Sequence, residues 1–190
     1  MILFRVTQGR YPFMWETPAQ PEGRWHAAGN GPVHYFATTI DGAWAELIRH
    51  EEITDPEDIA GLRAALWVID VPDDQSLAEP VLAEAILTGG TAGYPVCQAE
   101  AKRLREAGSD GLIAPSAALA PTGAACYRVD GGLIVEPVVS RVVALFGPRP
   151  DLRAQLASVG GRPPRRVLDQ VRRLSGRSVE STTRGTGLPS

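Results

Sequence analysis

A chain of 190 residues is long enough to bury one core of ordinary size and short for two. With 44% apolar and 22% charged residues and a net charge of −3 the composition is that of a soluble globule, and it contains no run of about 18 apolar residues that could cross a membrane. The two cysteines, Cys97 and Cys126, form no CxxC and lack histidines at ligand spacing, which argues against a disulfide framework and a zinc site and fits a reducing, cytoplasmic compartment.

ILFRVT alternates apolar and polar residues as a half-buried strand does, and YPFMWETPAQPEG follows as a proline-punctuated loop. After the Gly29-Asn30-Gly31-Pro32 turn, GPVHYFATT reads as a strand. Asp41 is then a candidate N-cap for a helix whose Trp44, Leu47 and Ile48 share one apolar face. Thr54, Asp55 and Pro56 stop that helix and start another running to about Ala65, ahead of the buried-looking strand ALWVIDV. DDQSLAEPVLAEAILTGGTAGY mixes helix and loop, PVCQAEAKRLREAG is a helix ended by Gly108, and Leu112 to Ala114 form a short strand running into Pro115 and Ser116. CYRVDGGLIVEPVVSRVVALFG reads as a hairpin or meander turning at Asp130-Gly131-Gly132, with Pro137 at an edge or bulge.

Beyond Pro150 the spacing predicts two short helices, Leu152–Ala157 and Pro164–Leu174. The organisation expected is a domain over 1–150, a helical extension over 151–174 and a disordered tail over 175–190, too poor in apolar residues to bury itself. From Asp151 onward eight arginines face three acidic residues, so the chain ends basic on an acidic body. A solvated helix face followed by a basic tail explains this better than nucleic-acid binding, because stacking aromatics are absent there. The fold class is α+β with mixed or antiparallel sheets.

Several polar residues invite a chemical reading. Arg24 follows Gly23 in a loop, where a guanidinium could fork onto a phosphate or carboxylate, although a surface salt bridge is the commoner fate. Tyr35 could stack on a flat ring or simply fill the core. Glu46 lies one step off the apolar stripe of its helix, where a carboxylate can hold a sugar hydroxyl or stabilise a developing cation, or merely be solvated. Ser116 stands at a strand end outside any GxSxG elbow, and His26, His34 and His50 match neither a Ser–His pair nor a metal cluster.

In order along the chain, FRV (Phe4–Val6), GRW with a following glycine (Gly23–Trp25, Gly29), VHYFATT, AWAELIRH and DGLIAPSAAL resemble the RES domain family, over roughly residues 3 to 140. The family's arginine corresponds to Arg24, its tyrosine to Tyr35, its glutamate to Glu46 and its serine to Ser116, with Arg5 at a further position of the pattern. The resemblance implies an ADP-ribosyltransferase-like fold with flanking helices. It also implies an enzyme that degrades NAD by phosphorolysis or hydrolysis, the toxin of a toxin–antitoxin pair with an Xre-type antitoxin.

Under that resemblance the catalytic set is Glu46, Arg24 and Tyr35, and the substrate-binding set is Arg5, Arg24, Tyr35 and Ser116. Breaking the nicotinamide–ribose bond builds oxocarbenium character that Glu46 would stabilise, Arg24 would fork onto the pyrophosphate, Tyr35 would orient the nicotinamide, and Ser116 would bond ribose or phosphate. NAD is a consumed substrate, inorganic phosphate a candidate co-substrate, and no cofactor, metal or membrane is called for. A homodimer is implied, with nucleic acid contacted only through the antitoxin. The alternatives are an ADP-ribosyltransferase or glycohydrolase in the same fold, and a non-catalytic nucleotide- or partner-binding module.

Overall fold

A computed structural model describes residues 1–9, 11–14, 16 and 20–174; the expected tail, 175–190, lies outside the described residues. Strands β1 (Ile2–Gln8) and β2 (Val33–Ala37) form where the alternation predicts them, and α1 (Ile40–His50) follows. α2 (Pro56–Gly61) is capped by Asp55 and shorter than the expected reach to Ala65, because β3 (Ala64–Asp70) claims the end of that segment. Then come β4 (Leu77–Ala78), α3 (Glu84–Thr88), a 3₁₀ turn (Thr91–Gly93), α4 (Tyr94–Glu106) and β5 (Gly111–Pro115). β6 (Ala124–Val129), β7 (Leu133–Val138), β8 (Arg141–Phe146), β9 (Arg153–Gly161) and α5 (Arg165–Leu168) complete the described chain. Among the described residues no helix is long and apolar enough to cross a membrane.

Seven strands make one sheet in the order β4-β5-β8-β2-β1-β3-β9, antiparallel except for β4 on β5, and β6 and β7 stand apart as a hairpin. The fold is α+β with a mostly antiparallel sheet, as the sequence predicts. β8 lies between β5 and β2 and is buried on both faces, which is why VVALF reads as a continuous apolar run. Pro137 falls in the two-stranded ribbon opposite Ala125.

The expected helix at Leu152–Ala157 is corrected to a strand: Arg153–Gly161 is β9, paired with β3 from Asp70↔Arg153 to Ala64↔Gly161. Helix propensity is a weak prior, and here the open outer edge of β3 offers a row of unpaired N–H and C=O groups that β9 satisfies. Residues 153–161 therefore extend the sheet, and only Arg165–Leu168 of the anticipated helical extension is helical.

Strand alternation divides the core in two. On one face Val33 and Tyr35 of β2 join Val142, Ala144 and Phe146 of β8 beneath Leu87, Cys97, Ala101 and Leu104 of α3 and α4. Beside them Trp44, Ala45 and Ile48 of α1 pack with Val167 and Leu168 of α5. The opposite face carries Leu3, Phe36, Ile69, Val143 and Leu145, covered in part by Phe13 and Met14 of the N-terminal loop.

Thr39, not Asp41, caps α1: its extended backbone sets Oγ1 to accept from Gly42 N at 3.0 Å. Asp41 is instead buried, accepting from Ala125 N at 2.8 Å and from both Nη atoms of Arg166 at 2.6 and 3.1 Å. A Cβ on Gly42 would lie 2.0 Å from Ser140 Oγ, which already receives a 2.8 Å bond from Thr39 Oγ1. Gly42→Ala is therefore expected to lose about 1–3 kcal/mol through overpacking, outweighing the ~1 kcal/mol that alanine contributes inside a helix. Urea unfolding measures this, and an unchanged or higher midpoint would show that Ser140 yields freely.

Candidate active site

The loop before β2 is closed by Gly23 N to His26 O (3.0 Å) and His26 N to Gly23 O (3.3 Å). That turn aims Arg24 inward. Its side chain is 7% exposed, with Nη1 donating to Ile86 O at 2.9 Å, Nη2 donating to Gly89 O at 2.5 Å, and the guanidinium 5.0 Å over the Tyr94 ring. The fork expected to stand open for phosphate thus already grips the end of α3. Gly89 is required there, since a Cβ would meet Ala85 O at 2.5 Å.

Tyr35 is half-buried on the same sheet face, and its hydroxyl has two partners. It accepts from Trp25 N at 2.9 Å and contacts His26 Nδ1 at 2.9 Å, while His26 Nε2 lies 2.7 Å from Pro21 O. A carbonyl only accepts, so Nε2 carries the ring proton. Burial holds the imidazole pKa down, which favours the neutral ring whose Nδ1 takes the Tyr35 proton. Burial likewise pushes the Tyr35 pKa up, keeping it a phenol. Tyr35→Phe would orphan the Trp25 amide and His26 Nδ1, an expected loss of about 1–3 kcal/mol. A denaturation midpoint equal to that of the wild type would show that the hydroxyl does not pin this loop.

Glu46 lies half-buried in the middle of α1, and among the described residues no hydrogen bond or salt bridge reaches its carboxylate. Burial raises its pKa, opposed by the nearby charges of Arg49, Arg24 and His50. It also lies within electrostatic reach of Tyr35, so the structure gathers Arg24, Tyr35 and Glu46 at one place. Two neighbours were not anticipated. Arg49, 6% exposed, donates Nη2 to the same Gly89 O at 3.0 Å, and Tyr94 opens α4 beneath Arg24. Arg49 follows Glu46 by three residues on the helix, a spacing that could have flagged it; nothing local flags Tyr94.

The other two expected residues are held in contacts of their own. Ser116 is 5% exposed, and its Oγ accepts from Ala118 N at 3.2 Å and Leu119 N at 3.0 Å, closing the turn after β5. Its amide donates to Ser140 O at 3.3 Å, so it buttresses the start of α1. Arg5 alternates with Phe4 and Val6 and lies 5.8 Å over Phe36, on the sheet face opposite Tyr35; burial lowers its pKa to about 10. The sheet itself separates Arg5 from Glu46. Among the described residues no group of His, Cys, Asp or Glu could hold a metal ion.

The arrangement offers one unpaired carboxylate beside two guanidinium groups and two phenol rings. Such a set can stabilise a positive centre next to an anionic group on the same small molecule.

A family model described as the RES domain matches residues 2–158. A probable NAD(+) phosphorylase of Mycobacterium tuberculosis is 32% identical over 163 residues, which are 83% of this chain and 75% of that protein. The crystal structure of the M. tuberculosis MbcT–MbcA toxin–antitoxin complex contains a chain that superposes with a TM-score of 0.57 at 18% identity, covering 88% of this chain and 86% of that one.

Proposed function

This chain belongs to the RES domain family, and we propose on that premise that it degrades NAD by breaking the nicotinamide–ribose bond, with phosphate or water as acceptor. The observation that carries the reading is the Glu46 carboxylate, free of any hydrogen-bond partner among the described residues and within electrostatic reach of Arg24 and Arg49. The C1′–N bond breaks with its electron pair going to the nicotinamide ring, which becomes neutral and needs no proton. The ribose is left with oxocarbenium character, and an ionised Glu46 stabilises it. An ionised oxygen of phosphate then bonds C1′ directly, or a water oxygen bonds C1′ and releases a proton to solvent.

In this reading Arg24 acts at the pyrophosphate through the N–H donors that Ile86 and Gly89 leave unspent, and Tyr35 orients the nicotinamide. Ser116 supports the site through the turn after β5, and NAD is a substrate, so no bound cofactor is invoked. The partner proposed is an Xre-type antitoxin, through which alone nucleic acid is met, and the assembly proposed is a homodimer. The M. tuberculosis relative named as a probable NAD(+) phosphorylase supports phosphate as acceptor.

The deciding experiment incubates purified protein with NAD, with and without inorganic phosphate, and follows nicotinamide and the ribosyl product by mass. Release of nicotinamide with ADP-ribose 1-phosphate is expected, and ADP-ribose alone would identify water as acceptor. Intact NAD in both arms would overturn the enzymatic reading. An expression host whose growth stops unless the neighbouring antitoxin gene is supplied would support the toxin role.

A further inference from the structure

Arg49 has a hydrogen-bond donor to spare. It is buried in the last turn of α1 with Nη2 on Gly89 O, yet its Nη1 is buried with no hydrogen-bond partner among the described residues. A buried, unpaired N–H of a charged group is costly and calls for an explanation. The surroundings deepen the deficit. Arg24 converges on the same carbonyl, Arg172 adds a third positive charge within reach, and Glu46 is the acidic group acting on Arg49. Among the described residues the Arg172 guanidinium has one carboxylate near it, Glu84 at 3.8 Å. Burial disfavours ionised Glu46, which leaves the pocket still more positive.

Buried excess positive charge with an unspent donor fits an oxyanion. We propose that Arg49 is an anion-binding residue of this site, its Nη1 reserved for a phosphate oxygen brought by the substrates. The proposal rests on the NAD-degrading reading for its ligand class, since both a free phosphate and the diphosphate of NAD supply that oxygen. Nη1 is buried, so an anion reaches it only with a local shift of the side chains around it.

The test titrates the full chain, wild type, Arg49→Met and Arg49→Lys, with inorganic phosphate and separately with ADP-ribose, by calorimetry at constant ionic strength. Arg49→Met is expected to bind one or both about 10- to 100-fold more weakly, as loss of a charged hydrogen bond predicts, with Arg49→Lys between. Loss confined to phosphate assigns Nη1 to the free acceptor, loss confined to ADP-ribose assigns it to the diphosphate, and loss of both leaves it serving either. Wild-type affinities in both variants overturn the proposal, as does failure of the wild type to bind either probe. Circular dichroism establishes that each variant is folded, and if Arg49→Met is not, Arg49→Lys must show the weakening alone. NAD consumption followed in parallel separates the two ideas, since NAD left intact with phosphate binding lost in the variants would sink the enzyme reading and leave the anion site standing.

Discussion

Glu46→Gln is expected to lower NAD consumption by roughly 10²–10³-fold or more, the effect typical of removing one preorganised electrostatic group from a reacting centre. The substitution keeps the side-chain shape and replaces charge by a dipole. Because no hydrogen bond among the described residues ends on this carboxylate, little structure is lost. Burial is the dominant influence on Glu46 and raises its pKa, so ionising it costs the folded state stability as pH rises through that raised value. The glutamine protein escapes that cost and should be at least as stable as the wild type near neutral pH. The same shift sets the acid limb of the reaction. Wild-type activity should rise with pH through a value above the ordinary glutamate range, and the residual activity of Glu46→Gln should not. Full activity in the variant, or an identical pH profile, would remove Glu46 from the chemistry.

Arg24→Ala should damage both stability and turnover. The guanidinium is buried, bonds the carbonyls of Ile86 and Gly89, and lies over Tyr94, so it ties the loop before β2 to α3 and α4. Charged hydrogen bonds of this kind contribute about 1.5–3 kcal/mol and a partly desolvated cation–π contact up to about 2 kcal/mol. A loss of roughly 2–4 kcal/mol in urea unfolding is therefore expected, with a raised KM for NAD in whatever fraction remains folded. Arg24→Lys keeps the charge but cannot span two carbonyls and should recover only part of the stability. Changes within about 0.5 kcal/mol, as for an ordinary surface arginine, would mean that the grip on α3 does not hold in solution.

Much of the scaffold was legible because local signals and tertiary demands agree. The alternation of ILFRVT and VHYFATT becomes β1 and β2, the apolar run VVALF becomes the doubly buried β8, and Gly108, at φ +88, ends α4 where the sequence expects a stop. RAQLASVGG carried no such signal. Mostly exposed, it is an edge strand whose conformation is decided by the β3 edge it covers. The helix cap went to Thr39 over Asp41 by a similar logic, since Asp41 is drawn inward by Arg166, 125 residues away.

The site divides along the same line. Sequence by itself determined the α+β class, the helix that carries Glu46, the strand that carries Tyr35 and, through ordered short motifs, the family. Only the tertiary structure decided which charges meet. It placed Arg5 across the sheet from Glu46 because strand register, not motif membership, sets the face a side chain occupies. It brought the Gly89 carbonyl, 40 residues from Arg49 and 65 from Arg24, to a point where both guanidinium groups share it. Nothing in a linear chain encodes that convergence, because an arginine's partner is chosen by packing across long sequence separations. What Arg49 holds back, an unspent buried donor, is a property of its packed surroundings and not of its place in the sequence.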